Sequence, residues 1–239
     1  MRRGMTFVDM AMGVLLGLLL ALPWLGLAQE LPWGVTALCV LSGFQLRLAD
    51  RRWDRRGGAL DWISHVRMAP ARLLLWGAAV IIALIARRPQ DAQAIAFAAL
   101  LSELLVYPAC TVLLGRMTRG AAVILLVALI VVQGIATHDG IRYSLAFLTG
   151  VATCMTWLRG PDGEGRTSGL ALVGFALSIF MPVMAPPLLT IAVPAASACA
   201  MLALATMSTL RRRPVPWRTE GGDGARLRRG WPPLPSRPA

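Results

Sequence analysis

The stretch AQAIAFAALLSELLVYPACTVLL, residues 92–114, decides the fold. Its length is that of an α-helix crossing a ~30 Å hydrocarbon layer, which takes ~20 apolar residues. A single carboxylate, Glu103, stands near its middle. Similar runs continue on both sides of it. Of 239 residues, 56% are hydrophobic and only 15% charged, against about 25% charged in an average soluble domain. The expected fold is all-α: a polytopic bundle of seven to eight transmembrane helices in one domain, residues 1–210.

The spans read as about 10–28, 31–46, 71–86, 92–114, 120–137, 143–158, 168–185 and 188–210. The first follows Arg2 and Arg3 and ends in Gly26-Leu27-Ala28, so it also has the form of a cleavable signal peptide. Retention is the preferred reading, because an apolar stretch resumes at Leu31. Between the second and third spans lie the basic loop RLADRRWDRRGG (47–58) and ALDWISHVRMA (59–69). In the latter, Leu60, Ile63 and Val66 recur at helical spacing beside Trp62, which fits a short helix at headgroup level or the wet end of span three. RGPDGEGR (159–166) is a polar turn. Residues 167–210 contain no charge and are too long for one helix, so they divide at Pro186-Pro187. Residues 211–239, rich in Arg, Pro and Gly, read as a disordered tail.

All 24 basic residues are arginine, and Lys and Asn are absent. Such usage fits a GC-rich bacterial genome better than a nucleic-acid surface, so no nucleic-acid partner is expected. With eight spans, sixteen arginines, counted only as far as Arg213 at the start of the tail, fall on the side of the N-terminus, while the other side holds Arg87, Arg88 and Arg142. Basic residues collect in cytoplasmic loops. The reading is a bacterial inner-membrane protein with both termini cytoplasmic, or with the N-terminus outside if residues 1–28 are removed. Arg51, Arg52, Arg55, Arg56, Arg211, Arg212 and Arg213 are then expected to meet anionic lipid headgroups, at about 1 kcal/mol each.

The chemistry centres on Glu103. A charged residue at a helix centre costs about 2.5–3.5 kcal/mol on insertion scales, so it usually faces a partner or a water-filled cavity. Pro108 cannot donate to the carbonyl of Leu104, Tyr107 lies four residues beyond the acid, and Ser102 precedes it. An acid, a phenol, a hydroxyl and a loosened carbonyl on one stretch suit a proton, cation or substrate site. The plainer reading is a protonated Glu103 that hydrogen-bonds another helix as packing glue. Pro182 and Pro194 interrupt the last two spans, and Pro182 joins the candidate site because broken spans expose backbone to substrate in transporters. Gly13 with Gly17, and Thr149 with Thr153, form small-residue faces for helix contact. His138 beside Asp139 reads as a solvated turn.

Cys39, Cys110, Cys154 and Cys199 fall in separate spans and read as buried apolar residues. The two histidines match no metal spacing. Neither a metal nor a cofactor is expected, and no nucleophile–base pair marks an enzyme. The preferred reading is a transporter or translocation-complex subunit for a small solute or lipid. The alternatives are a non-catalytic scaffold subunit of an envelope complex and, third, a lipid-modifying enzyme. Expected partners are the bilayer and either a second copy of the chain or another membrane subunit.

Overall fold

The computed structural model describes residues 5–49, 73–114, 117–160 and 165–210. Every regular element among them is helical. In chain order these are α1 (Met5–Ala21), α2 (Leu31–Ala49), α3 (Leu73–Ile85), α4 (Pro89–Leu100), a π-helical turn (Leu101–Val106), α5 (Tyr107–Leu114), α6 (Arg119–Ile135), α7 (Asp139–Leu158), α8 (Gly165–Met184) and α9 (Leu189–Leu210). The expected interfacial helix at 59–69, the arginines at 51, 52, 55 and 56, and the 211–239 tail with its three arginines lie outside the described residues.

Local chemistry sets the breaks. α1 ends at Ala21 ahead of Pro23, and Gly26 takes a positive φ of 74° to turn the chain. That conformation is open to glycine at little cost. Pro89 opens α4 at its first turn, where a missing N–H is harmless. Thr118 caps α6 by accepting the Ala121 N–H at 3.3 Å. Pro186 and Pro187 hold a single 3₁₀ turn between α8 and α9.

Four helical stretches are long and apolar enough to cross a membrane: Ala28–Ala49, Pro89–Cys110, Gly165–Met184 and Pro186–Met207. The count of seven to eight spans is therefore not reached on length and composition. Met10–Ala21, Leu73–Ile85 and Arg119–Ile135 are apolar but shorter. α7 has the length, at 20 residues, but carries Asp139, Arg142, Tyr143, Ser144, Thr149, Thr153 and Thr156. The reason for that polarity is position. α7 touches α2, α4, the π turn, α6 and α9, so it meets protein on most sides and its buried hydroxyls return to its own backbone. Ser144, Thr149, Thr153 and Thr156 each donate to the carbonyl four residues earlier, at 2.7–2.9 Å.

The α2–α7 contact is the tightest in the bundle. A methyl group on Gly43 would overlap the carbonyl oxygen of Phe147, and one on Gly150 would overlap that of Val40. Two glycines thus let the backbones meet, an arrangement that favours van der Waals and Cα–H···O contact where lipid offers no hydrophobic contrast. Along this seam Trp33 lies beside Arg142, Gly43 beside Phe147 and Arg47 beside Met155. Residue numbers rise together, so α2 and α7 run parallel. α4 and α7 also run parallel, since Gly140 meets Ala94 and Phe97 while Tyr107 meets Phe147. α6 and α7 run antiparallel, with Gln133 meeting Thr149 and Arg119 near Gly160.

These directions give the bundle two ends. At one, Arg88 donates to the carbonyl of Ala28 at 2.8 Å and Arg142 covers the Trp33 ring at 5.4 Å. At the other, Arg47 donates to the Met155 sulfur at 2.9 Å, and Arg119 donates to Thr167 at 2.7 Å. α8 packs against α9 and turns Leu170, Val173, Leu177, Phe180 and Val183 outward, an apolar flank suited to lipid.

Candidate functional site

Pro108 shapes the site before any side chain is placed. In a regular α-helix its ring would press on the carbonyl of Leu104, and it has no N–H to offer that group. The helix widens just ahead of it: over Leu101–Val106 the turn is π-helical, and the Tyr107 N–H donates to Ser102, five residues back. One extra residue is accommodated there, a bulge that occurs often at functional positions. Glu103 lies within it.

The widened turn faces α7. Ser102 and Tyr107 are wholly buried and Glu103 is 3% exposed. From α3, the Trp76 indole N–H points at Glu103 Oε1 with N···O of 3.4 Å, long for a hydrogen bond but charge-assisted if the acid is ionised. The Tyr107 ring meets Phe147 of α7 edge-on, with centroids 6.2 Å apart and planes at 85°. Trp76 flanks the same Phe147 at 6.1 Å. Glu103 therefore sits at the junction of α3, α4–α5 and α7, walled by aromatic rings. The Ser102 hydroxyl is buried with no hydrogen-bond partner among the described residues.

Of the residues singled out in the sequence, Glu103, Ser102, Tyr107 and Pro108 share this turn. Pro182 lies in α8, in the hairpin with α9, away from that junction. Pro194 is inside α9. Thr149 and Thr153 are wholly buried on α7, and Thr149 accepts from the Gln133 amide of α6 at 2.9 Å. Gly13 and Gly17 are exposed, with open space where a side chain would go.

Sequence reasoning missed Trp76 and Phe147, which supply the walls. It also missed Arg47, fully buried at one end of α2, and Asp91, 4% exposed and ion-paired to Arg88 at the other end of the bundle. Asp91 was legible in principle as an acid directly ahead of the residue 92–114 run, and it falls in the first turn of α4. The aromatic walls carried no such mark, being ordinary components of apolar helices.

No protein-family model, curated protein or solved structure matches this chain. The class it belongs to is read from its own residues: an all-helical protein whose apolar helices suit a membrane-embedded chain. Its most distinctive internal feature is a carboxylate on a π-helical turn.

Proposed function

We propose that the chain is a bacterial inner-membrane transporter, or a subunit of a translocation complex, that moves a small solute or lipid with Glu103 as its ion- or substrate-binding acid. The observation that carries this reading is the placement of Glu103 on a π-helical turn, buried among three helices. A packing contact alone needs no helix distortion, whereas a widened turn keeps backbone carbonyls and an acid close together in a form that a cation or proton can use. Pro182 is proposed as a secondary hinge within the α8–α9 pair rather than as part of the Glu103 junction.

The reading takes the chain through the bilayer eight times, the shorter helices α1, α3 and α6 included. Parallel α2, α4 and α7, each separated by one or more returning helices, support this path. The Arg47 end is placed in the cytoplasm with both termini, where the arginine-rich loop and tail meet anionic headgroups. No nucleic-acid partner is included.

Solid-supported-membrane electrophysiology tests the assignment without knowledge of the transported molecule. Reconstituted wild-type protein is expected to give a transient current on a pH or Na⁺ jump, and Glu103→Gln to lose it. Equal currents from both would overturn the assignment.

A second reading is favoured by Gly13 and Gly17, whose outward face is open within the chain. In it, the protein is a scaffold subunit that docks a second copy or another membrane protein. Purification in gentle detergent separates the two readings. A stoichiometric membrane partner that is present with wild type and lost with Gly13→Leu or Gly17→Leu, but kept with Glu103→Gln, supports the scaffold reading.

A further inference from the structure

α3 reads LLLWGAAVIIALI over residues 73–85. Its side chains include one hydrogen-bonding group, the indole N–H of Trp76, and an indole nitrogen donates but cannot accept. That single donor is directed at Glu103 Oε1 of the π turn, with N···O of 3.4 Å. The rest of the inward face is apolar. Ala79, Ile82 and Ala83 are buried with Trp76, while Leu74, Ile81 and Leu84 are exposed. Lipid is as apolar as these side chains, so close packing and hydrogen bonds, rather than a hydrophobic contrast, hold a helix to its neighbours in a bilayer. For α3 the side-chain hydrogen bond to another helix runs through Trp76, and its acceptor is the acid of the candidate site.

The two ends of α3 are held differently. Beyond Ile85 the chain turns at Arg87, whose φ of 57° is uncommon for a residue with a side chain. Arg88 fixes this corner by donating to the Ala28 carbonyl at 2.8 Å and by pairing with Asp91. Trp76 lies nine residues before Ile85, roughly 14 Å along the helix at 1.5 Å per residue. There its ring rests on Phe147 of α7, with centroids 6.1 Å apart. α3 is thus anchored at one end by the corner and tied near the other to a group whose charge can change.

A hydrogen bond to an ionised carboxylate is roughly twice as strong as one between neutral groups. At 3.4 Å the Trp76 bond has room to shorten toward the ~2.9 Å usual for N–H···O. A proton taken from solvent forms an O–H bond on the carboxylate and removes the charge that attracts the indole. A metal ion seated on the carboxylate repels the same N–H, whose hydrogen is partly positive. Either load weakens one contact, and the coupling is reciprocal, so a displaced α3 alters the acid's affinity for its load.

We propose that Trp76 is a positioning residue that couples the load on Glu103 to the position of α3. Its indole N–H holds α3 against the π turn while the acid is ionised. Loading the acid releases that hold and lets α3 move about the Arg87–Arg88 corner.

This rests on the reading of Glu103 as an ion-binding acid and adds the helix that responds to the ion. Indole ¹H–¹⁵N NMR of ¹⁵N-tryptophan-labelled protein in nanodiscs reads the bond. The Trp76 cross-peak is identified by its loss in Trp76→Phe, which keeps a ring against Phe147 and removes the donor. In wild type this peak is expected to move as pH is lowered at constant Na⁺ or as Na⁺ is raised at constant pH, and the series that moves it names the load. In Glu103→Gln, uncharged at every pH, it is expected to stay still in both. At the unloaded end of the series, amide hydrogen exchange over residues 73–85 is expected to be about fivefold faster in Glu103→Gln and Trp76→Phe than in wild type, with α7 unchanged. A Trp76 peak that ignores both series in wild type, or moves equally in Glu103→Gln, overturns the coupling. So does wild-type exchange over residues 73–85 in Glu103→Gln. If an ion-jump current that Glu103→Gln abolishes persists in those cases, the Glu103 reading stands, and without such a current both fall.

Discussion

Gly43 of α2 and Gly150 of α7 are each packed against the partner helix's backbone, so that neither position has room for a single added carbon. Four residues of seam, Val40, Gly43, Phe147 and Gly150, hold the two best-buried helices together. Gly43→Ala and Gly150→Ala must each push the helices apart. Overpacking of this kind costs about 1–3 kcal/mol in soluble cores, and here the neighbouring atoms are backbone that has no rotamer to change. Both variants are expected to fall in thermal midpoint or be lost from detergent extracts, while Gly17→Ala, facing open space, keeps wild-type stability. Size-exclusion thermal-shift profiles of the three check the contrast.

Gln133 and Thr149 give an asymmetric pair of outcomes. The Gln133 amide donates to Thr149 Oγ1 at 2.9 Å and to its own Leu129 carbonyl at 3.1 Å. Thr149→Val removes one acceptor and leaves a buried amide short of a partner, so a loss of about 1 kcal/mol is expected, while Gln133→Leu removes the demand together with the donor and costs less. Steric-trapping or reversible-unfolding measurements on both variants in one detergent test the order.

Pro108→Ala supplies the N–H that proline lacks and removes the ring clash. The π turn is expected to relax to regular α-helix, re-phasing Glu103 relative to α5 by roughly 100°, one residue's rotation at 3.6 per turn. Stability holds or rises, since a helix-interior proline costs up to about 3 kcal/mol. The ion-jump current falls nonetheless. A variant that is both more stable and fully active would show that the widened turn is incidental.

Single-cysteine accessibility checks the proposed path through the bilayer. In a background with Cys39, Cys110, Cys154 and Cys199 replaced by Ala, Arg88→Cys and His138→Cys are expected to react with an impermeant maleimide from the outer face of intact cells. Arg159→Cys is expected to react only after lysis. Labelling of Arg88→Cys and Arg159→Cys from the same face would exclude the eight-span path.

What the sequence made legible was local. Glu103, Ser102, Tyr107 and Pro108 lie within seven residues, and a proline five positions after an acid states its own consequence for the backbone. The helical runs were visible because apolar composition persists over a span's length. The polarity of α7 was harder to interpret. Thr149 and Thr153 read as a contact face, yet the same hydroxyls keep α7 below the apolarity of a free-standing span, and only its enclosure by neighbours explains them. Trp76 and Phe147 approach Glu103 from helices 27 positions before it and 44 after it in sequence. Nothing in local composition pairs residues so separated. The Gly13–Gly17 spacing read as a face for helix contact within the chain or with a partner; within the chain the close approach uses Gly43 and Gly150, and spacing within one helix cannot say which neighbour it meets.

The parallel pairing of α2 and α7 also has a consequence in time. Two parallel neighbours cannot be consecutive in the chain, and here α3, α4–α5 and α6 must all be made before Gly150 exists to meet Gly43. At a synthesis rate of about 5–20 residues per second, the roughly hundred intervening residues take about 5–20 s to emerge. For that interval the glycine face of α2 waits without its partner, and only after this seam has formed are α8 and α9 made, with α9 packing on both α2 and α7.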